Sequence, residues 1–168
     1  KEQLSAAVEC LTTARRIEFF GFGASGIVAQ DAQQKFPLFG VPCGAETDSH
    51  QQVMVASMLQ PGDVAVVISN TAATRSMIEI ARLARERGVS VIGIVGMRGP
   101  LADHCDILLL AETLENTNIY TPTISRIAAL TVIDILSTAV VLNRGEEHIE
   151  SFKRMKRNLA YMRANERI

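Results

Sequence analysis

Leu4, Ala7, Val8 and Leu11 return at the three- and four-residue spacing of an amphipathic helix. Residues 17–22 then run almost unbroken through aromatic and β-branched side chains, the pattern of a strand covered on both faces. A turn through Gly21-Phe22-Gly23-Ala24-Ser25 leads to a second helix, with Val28, Ala32 and Phe36 expected to face inward before Pro37 and Gly40 stop it. A short strand is predicted over 41–43 and a helix from Asp48 or Ser49. After the turn Gln60-Pro61-Gly62, Val64-Ala65-Val66-Val67-Ile68 is apolar without alternation and ends at Ser69. Met77, Ile78, Ala81 and Ala84 then mark a helix from Thr74, with Gly88 placed for a left-handed C-terminal cap, and strands are expected over 89–95 and 106–110. Strands alternating with helices through short, right-handed connections predict one α/β domain over 1–168, a doubly wound parallel sheet with helices on both faces.

The longest apolar stretch, 124–142, has the length of a membrane span, but Arg126, Asp134 and several hydroxyl side chains interrupt it, so a buried helix and no membrane partner are expected. Its apolar surface exceeds what one sheet face can cover, which predicts a homodimer or higher homo-oligomer. Beyond Gly145, residues 151–168 carry Lys153, Arg154, Lys156, Arg157, Arg163 and Arg167 against the single acid Glu166, with Phe152, Met155, Leu159 and Met162 as an apolar stripe. A basic amphipathic helix of this kind can touch DNA or anionic lipid; docking on a partner subunit, with its charges solvated, is the expectation.

Charge changes the picture by exclusion. Seventeen Lys and Arg against eighteen Asp and Glu leave a net charge of -1, too little clustered excess to grip nucleic acid over a broad surface. Cys10, Cys43 and Cys105 are odd in number and widely spaced, which suggests neither a disulfide framework nor a zinc clip and is natural in a reducing cytosol. His104-Cys105-Asp106 has metal-like residue types, yet neighbours leading into a strand point apart; no metal and no cofactor is expected. The chain opens on Lys1 without an initiator Met, and is expected to be a fragment of a longer protein.

Ligands of open α/β sheets sit at the carboxyl ends of the strands, and two such ends here are small and polar. In the first, Gly21 and Gly23 allow close backbone approach, and a helix starting at Ser25 aims unpaired N–H groups outward. The spacing fits neither a Walker loop nor a dinucleotide fingerprint. In the second, Ser69-Asn70-Thr71-Ala72-Ala73-Thr74 offers four hydrogen-bonding side chains before a helix N-terminus, able to cradle a phosphate without a cation, although Ser69 and Thr74 are also ordinary capping residues.

These two loops, with Asp48-Ser49-His50-Gln51 between them and Ser125-Arg126-Ile127-Ala128 and Val132-Ile133-Asp134 after them, resemble the sugar isomerase (SIS) domain, more narrowly the effector domain of RpiR-family bacterial transcription regulators. The resemblance runs from the first helix to about Gly145 and implies a flavodoxin-like three-layer sandwich that senses phosphorylated sugars. It implies a ligand site of Gly23, Ser25, Ser69, Asn70, Thr71 and Thr74, no catalytic residue, and DNA contact only through an N-terminal helix-turn-helix domain outside this chain. The members most alike repress hexose catabolism, which implies a phosphorylated sugar acid, 2-keto-3-deoxy-6-phosphogluconate, as effector. One position departs: Ala72 stands where the family loop has glycine. If that position needs positive φ the alanine costs ~1 kcal/mol, and its methyl is expected to crowd the phosphate.

A sugar-phosphate isomerase of the SIS class is the alternative. It would need a carboxylate or imidazole within reach of the substrate carbons, and Glu46, Asp48, His50, His104, Glu112 and Glu115 are the candidates. His50 and Glu112, with Arg126 as an anion contact, are secondary site residues. Each has a plainer account: Asp48 as a helix cap beside a structural His50, Glu112 in an ordinary polar loop, and Arg126 in a salt bridge.

Overall fold

A computed structural model describes residues 1–119 and 121–165. The order is α1 (Glu2–Thr13), β1 (Arg16–Gly21), α2 (Ala24–Gln34), α3 (Phe36–Phe39), β2 (Cys43–Gly44), α4 (Ser49–Met58), β3 (Asp63–Ser69), α5 (Arg75–Glu86), β4 (Ser90–Val95), a 3-10 turn (Pro100–His104), β5 (Ile107–Leu110), α6 (Ile124–Arg144) and α7 (Glu146–Asn165). The five strands are parallel in the order β2-β1-β3-β4-β5, so the sheet is doubly wound and its direction of progression reverses between β1 and β3.

Strand residues alternate between two cores. Ile17, Phe19, Val64, Val66, Ile68, Ile92 and Ile94 pack under α1, α2 and α6. Phe20, Ala65, Val67, Val91 and Val95 pack under α4 and α5 with Leu101 of the 3-10 turn. Both faces are therefore covered, which explains why β3 is apolar at consecutive positions.

The second helix departs from expectation. The chain breaks at Lys35 and restarts as the one-turn α3, which turns Phe39 into the core, 5.6 Å from the Phe19 ring, and leaves Phe36 half exposed. Pro37 sits in the first turn of α3, where its missing N–H has no helical partner to lose. β2 falls at Cys43–Gly44 rather than over 41–43. The expectation for 124–142 is also revised. α6 buries one face, Ile133, Leu136, Ser137 and Val140, but leaves Ile124, Ile127, Ile135 and Leu142 exposed. It is long and apolar enough to cross a membrane by composition alone, yet it is the helix against which α1, α2 and α3 pack.

α7 begins earlier than its basic segment, at Glu146, so acids occupy its first turn and Arg163 its last, an arrangement that suits the helix dipole. Arg144 Nε donates to Phe39 O at 2.7 Å and His148 Nε2 lies 3.1 Å from Leu38 O, binding the α6–α7 corner to the carbonyl end of α3. Phe152 and Met155 are partly buried, whereas Leu159, Tyr161 and Met162 face outward; Glu166, Arg167 and Ile168 lie outside the described residues.

Glu18, in the middle of β1, is almost fully buried and held by Arg16 Nε at 2.7 Å. Burial pushes its carboxyl above the ordinary 4.5, against the opposing pull of Arg16. A carboxyl raised in the folded chain stabilises it most below its unfolded value, and that contribution is lost as pH rises through the folded value. Glu18→Gln should therefore raise the melting temperature at pH 7, with the two proteins converging toward pH 4.5; thermal melts over about pH 4–8 check this.

Candidate functional site

The carboxyl ends of β1 and β3 diverge at the reversal of the sheet and open a cavity of about 240 Å³. Ser25 lines it from the start of α2, and Ser69, Asn70, Thr71 and Thr74 line it from the β3–α5 loop. Ser125 and Arg126 line it from the start of α6, while Thr117 and Pro122 line it from the segment between β5 and α6.

Gly23 reaches φ 55° at the N-terminal cap of α2 but does not itself line the cavity; its part in the expected site is to turn the chain. The turn is tight because Gly21 lies against α2. A Cβ there would stand 2.9 Å from Gly26 N. From beneath, the fully buried Gln52 of α4 donates through Nε2 to Gly21 O at 3.0 Å and to Glu46 O at 2.8 Å, fixing the end of β1.

The second loop is stitched to β4. Gly96 N and Met97 N donate to Asn70 O at 3.0 and 3.1 Å, and Leu101 N donates to Ala72 O at 2.9 Å. Ala72 has φ 52°, so the family's glycine position is left-handed, as the departure in sequence made a question. Its methyl does not crowd the cavity. Ala72 is fully buried in the core beneath α5 and is not a cavity residue, so about 1 kcal/mol of left-handed strain is set against about 0.8 kcal/mol of methyl burial.

Capping does not account for the hydroxyls. Thr74 stands at the N-cap of α5 without a side-chain capping bond, and Ser69 Oγ donates to Thr74 Oγ1 over a long 3.4 Å. α2 is likewise uncapped by a side chain at Gly23. Two helix N-termini whose first turns lack side-chain caps thus meet hydroxyl groups at one opening, an arrangement suited to a phosphate held by amides and hydroxyls.

The other expected residues are placed elsewhere. His50 is exposed in the first turn of α4, where Asp48 Oδ1 accepts from His50 N at 3.0 Å and Gln51 N at 2.9 Å, the capping account of this pair. Glu112 is exposed and does not line the cavity. Cys105 Sγ donates to Leu101 O at 3.3 Å while Asp106 Oδ2 accepts from Val91 N at 2.8 Å, so these neighbours are engaged in different directions. Burial pushes the Cys43 and Cys105 thiols up to about 12, which keeps both protonated and unreactive.

Glu115 takes a part that its type alone did not signal. Its Oε1 accepts from Thr123 N at 2.8 Å and Ile124 N at 3.0 Å. Its Oε2 accepts from Ser125 N at 2.8 Å and from Ser125 Oγ at 2.6 Å. The carboxylate caps α6 from eight to ten residues upstream, in the strap between β5 and α6 that brings Thr117 and Pro122 to the cavity wall. Asn70 Nδ2 donates to Thr117 Oγ1 at 3.3 Å, joining that strap to the β3–α5 loop.

The sequence pattern of the SIS domain matches residues 10–139. The chain belongs to the SIS domain family. Two relatives are the HTH-type transcriptional regulators HexR of Pseudomonas aeruginosa, 45% identical over 93% of this chain and 55% of theirs, and of Escherichia coli, 39% identical over 100% of this chain and 58% of theirs. This SIS domain thus spans a little more than half the length of those regulators. The Vibrio vulnificus NanR protein complexed with ManNAc-6P superposes with a TM-score of 0.86 at 25% identity, over 96% of this chain and 62% of that one.

Hydrogen bonds from the Ser125 hydroxyl first, and then from the backbone of the α6 N-terminus, hold the Glu115 carboxyl down at about 2. A depressed carboxyl stabilises the fold above its unfolded value of 4.5, and loses that contribution as pH falls toward 2. Glu115→Gln should lower the melting temperature at pH 7, and the gap should close as pH approaches 2; pH-dependent melts test this.

Proposed function

We propose that this SIS domain is the phosphosugar-sensing effector and dimerisation part of a transcriptional repressor of hexose catabolism. DNA contact would belong to a helix-turn-helix domain elsewhere in the full regulator. The observation that carries the reading is the cavity itself. Ser25, Ser69, Asn70, Thr71 and Thr74 converge on it beside two helix starts that lack side-chain caps. Among the described residues its wall includes no Asp, Glu, His or Cys. Isomerisation requires moving a proton between adjacent carbons, and hydroxyls and amides can bind a sugar phosphate without supplying that base. The bound ManNAc-6P of the NanR structure supports a phosphosugar ligand, and the HexR relatives support a regulatory setting. The effector implied by the family resemblance is 2-keto-3-deoxy-6-phosphogluconate, whose binding would release the repressor from DNA.

Self-association fits the exposed side of α6, where Ile127, Ile135 and Leu142 are 56%, 46% and 68% accessible in one copy. The exposed end of the α7 stripe is the second surface on which a partner copy would dock. Sedimentation at low concentration should return a homodimer; a monomer would overturn the assignment of these faces.

Calorimetric titration with 2-keto-3-deoxy-6-phosphogluconate, glucose 6-phosphate, fructose 6-phosphate and arabinose 5-phosphate, followed by NMR of each sugar, tests the ligand. Selective binding without conversion is expected. Ser69→Ala and Thr71→Ala should each weaken binding about tenfold while leaving the unliganded melting temperature nearly unchanged. Conversion of any of the sugars would make the domain an isomerase, and a large loss of stability in the variants would return the hydroxyls to a purely structural part.

A further inference from the structure

One wall of the cavity carries a formal charge. Arg126, in the first turn of α6, is the charged side chain on the cavity wall among the described residues, and it is partly buried. None of the ion pairs among those residues includes it. Placing a guanidinium in a half-enclosed pocket without a counter-charge costs solvation, and a ligand anion can return that cost.

The neighbouring groups narrow which anion. The amides of Thr123, Ile124 and Ser125 and the Ser125 hydroxyl already donate to Glu115, so what the α6 N-terminus still offers a ligand comes from Arg126. The uncapped α5 start and its hydroxyls lie on the β3–α5 loop, which leaves the phosphate to that side. A singly charged, planar carboxylate matches one guanidinium fork, whereas a second phosphate dianion would meet the Glu115 charge where three amides of the helix start are already committed.

We propose that Arg126 receives a carboxylate of the bound ligand, so that the cavity selects phosphorylated sugar acids over phosphorylated neutral sugars and polyols. The assignment rests on the reading of the cavity as a phosphosugar site. It makes Arg126 the specificity-determining residue and the β3–α5 loop the common phosphate holder.

Two six-carbon, open-chain probes that differ only at the end opposite the phosphate isolate the effect: 6-phosphogluconate carries a carboxylate where sorbitol 6-phosphate carries a hydroxymethyl group. The wild-type domain should bind 6-phosphogluconate about tenfold or more tightly than sorbitol 6-phosphate by calorimetry. Arg126→Gln should bring the two within about twofold of each other, while sorbitol 6-phosphate keeps its wild-type affinity. Arg126→Lys, which retains the charge without the fork, should keep part of the preference and serves if the glutamine variant does not fold.

Equal loss of both ligands in Arg126→Gln would place the guanidinium on the phosphate or in the fold, and would overturn the proposal. An unchanged preference would place the carboxylate elsewhere and overturn it as well. So would tighter binding of fructose 1,6-bisphosphate than of 6-phosphogluconate, if that binding is lost in the variant. Failure of the phosphosugar reading itself is distinct: neither probe would then bind the wild type, and inorganic phosphate would not raise its melting temperature.

Discussion

The parallel pairing of β1 with β3, in register from Arg16 opposite Asp63 to Gly21 opposite Ile68, is the constraint on which the site depends. It brings the ends of two strands that are distant in sequence to the same height, and the chain leaves them in opposite directions, toward β2 on one side and β4 on the other. The opening between them is a consequence of strand order before any side chain is considered. Residues on the loops then need only be small and hydrogen-bonding, and Ser25, Ser69, Asn70, Thr71 and Thr74 are. Gln52 and the backbone bonds from Gly96, Met97 and Leu101 hold those loops from behind, so the cavity wall is rigid where a phosphate would rest.

Much of this was legible in sequence because it depends on local rules. Consecutive apolar residues in β3, helical spacing in α5 and glycine at position 88, where φ is 74°, each declare their element without reference to the rest of the chain. What was not legible depends on partners far away. Phe36 and Phe39 have the same apolar character and are three residues apart, and only the break at Lys35 decides that Phe39 reaches Phe19. The direction of the Ala72 methyl follows from a left-handed φ that an alanine does not advertise.

The clearest case is Glu115. Read as a residue type, it belonged with the candidate bases; placed in the fold, both of its oxygens are committed to α6, and the hydrogen bonds that commit them favour the ionised form. A base held that firmly as carboxylate is poorly matched to exchanging a proton with a sugar carbon near neutral pH, where a value nearer the working pH would serve better. A partial signal was present. An acid eight to ten residues before an apolar helix that lacks its own side-chain cap is a candidate acceptor for that helix's unpaired amides.

The same carboxylate sets the electrostatic balance of the cavity. An open α6 N-terminus would have given the pocket two amide-lined anion sites, one at each end, and either could have taken a phosphate. With Glu115 occupying one of them, the ends differ: the β3–α5 side offers amides and hydroxyls without a formal charge, and the α6 side offers a guanidinium beside a spent carboxylate. A ligand with two unlike anionic ends, as proposed, would thereby be bound in one orientation. Because Asn70 joins the β3–α5 loop to the strap through Thr117, such a ligand would bear on the two walls at once. In the proposed sensor this hydrogen bond would couple the two walls that the metabolite touches, so that occupancy of the cavity is felt by both loops.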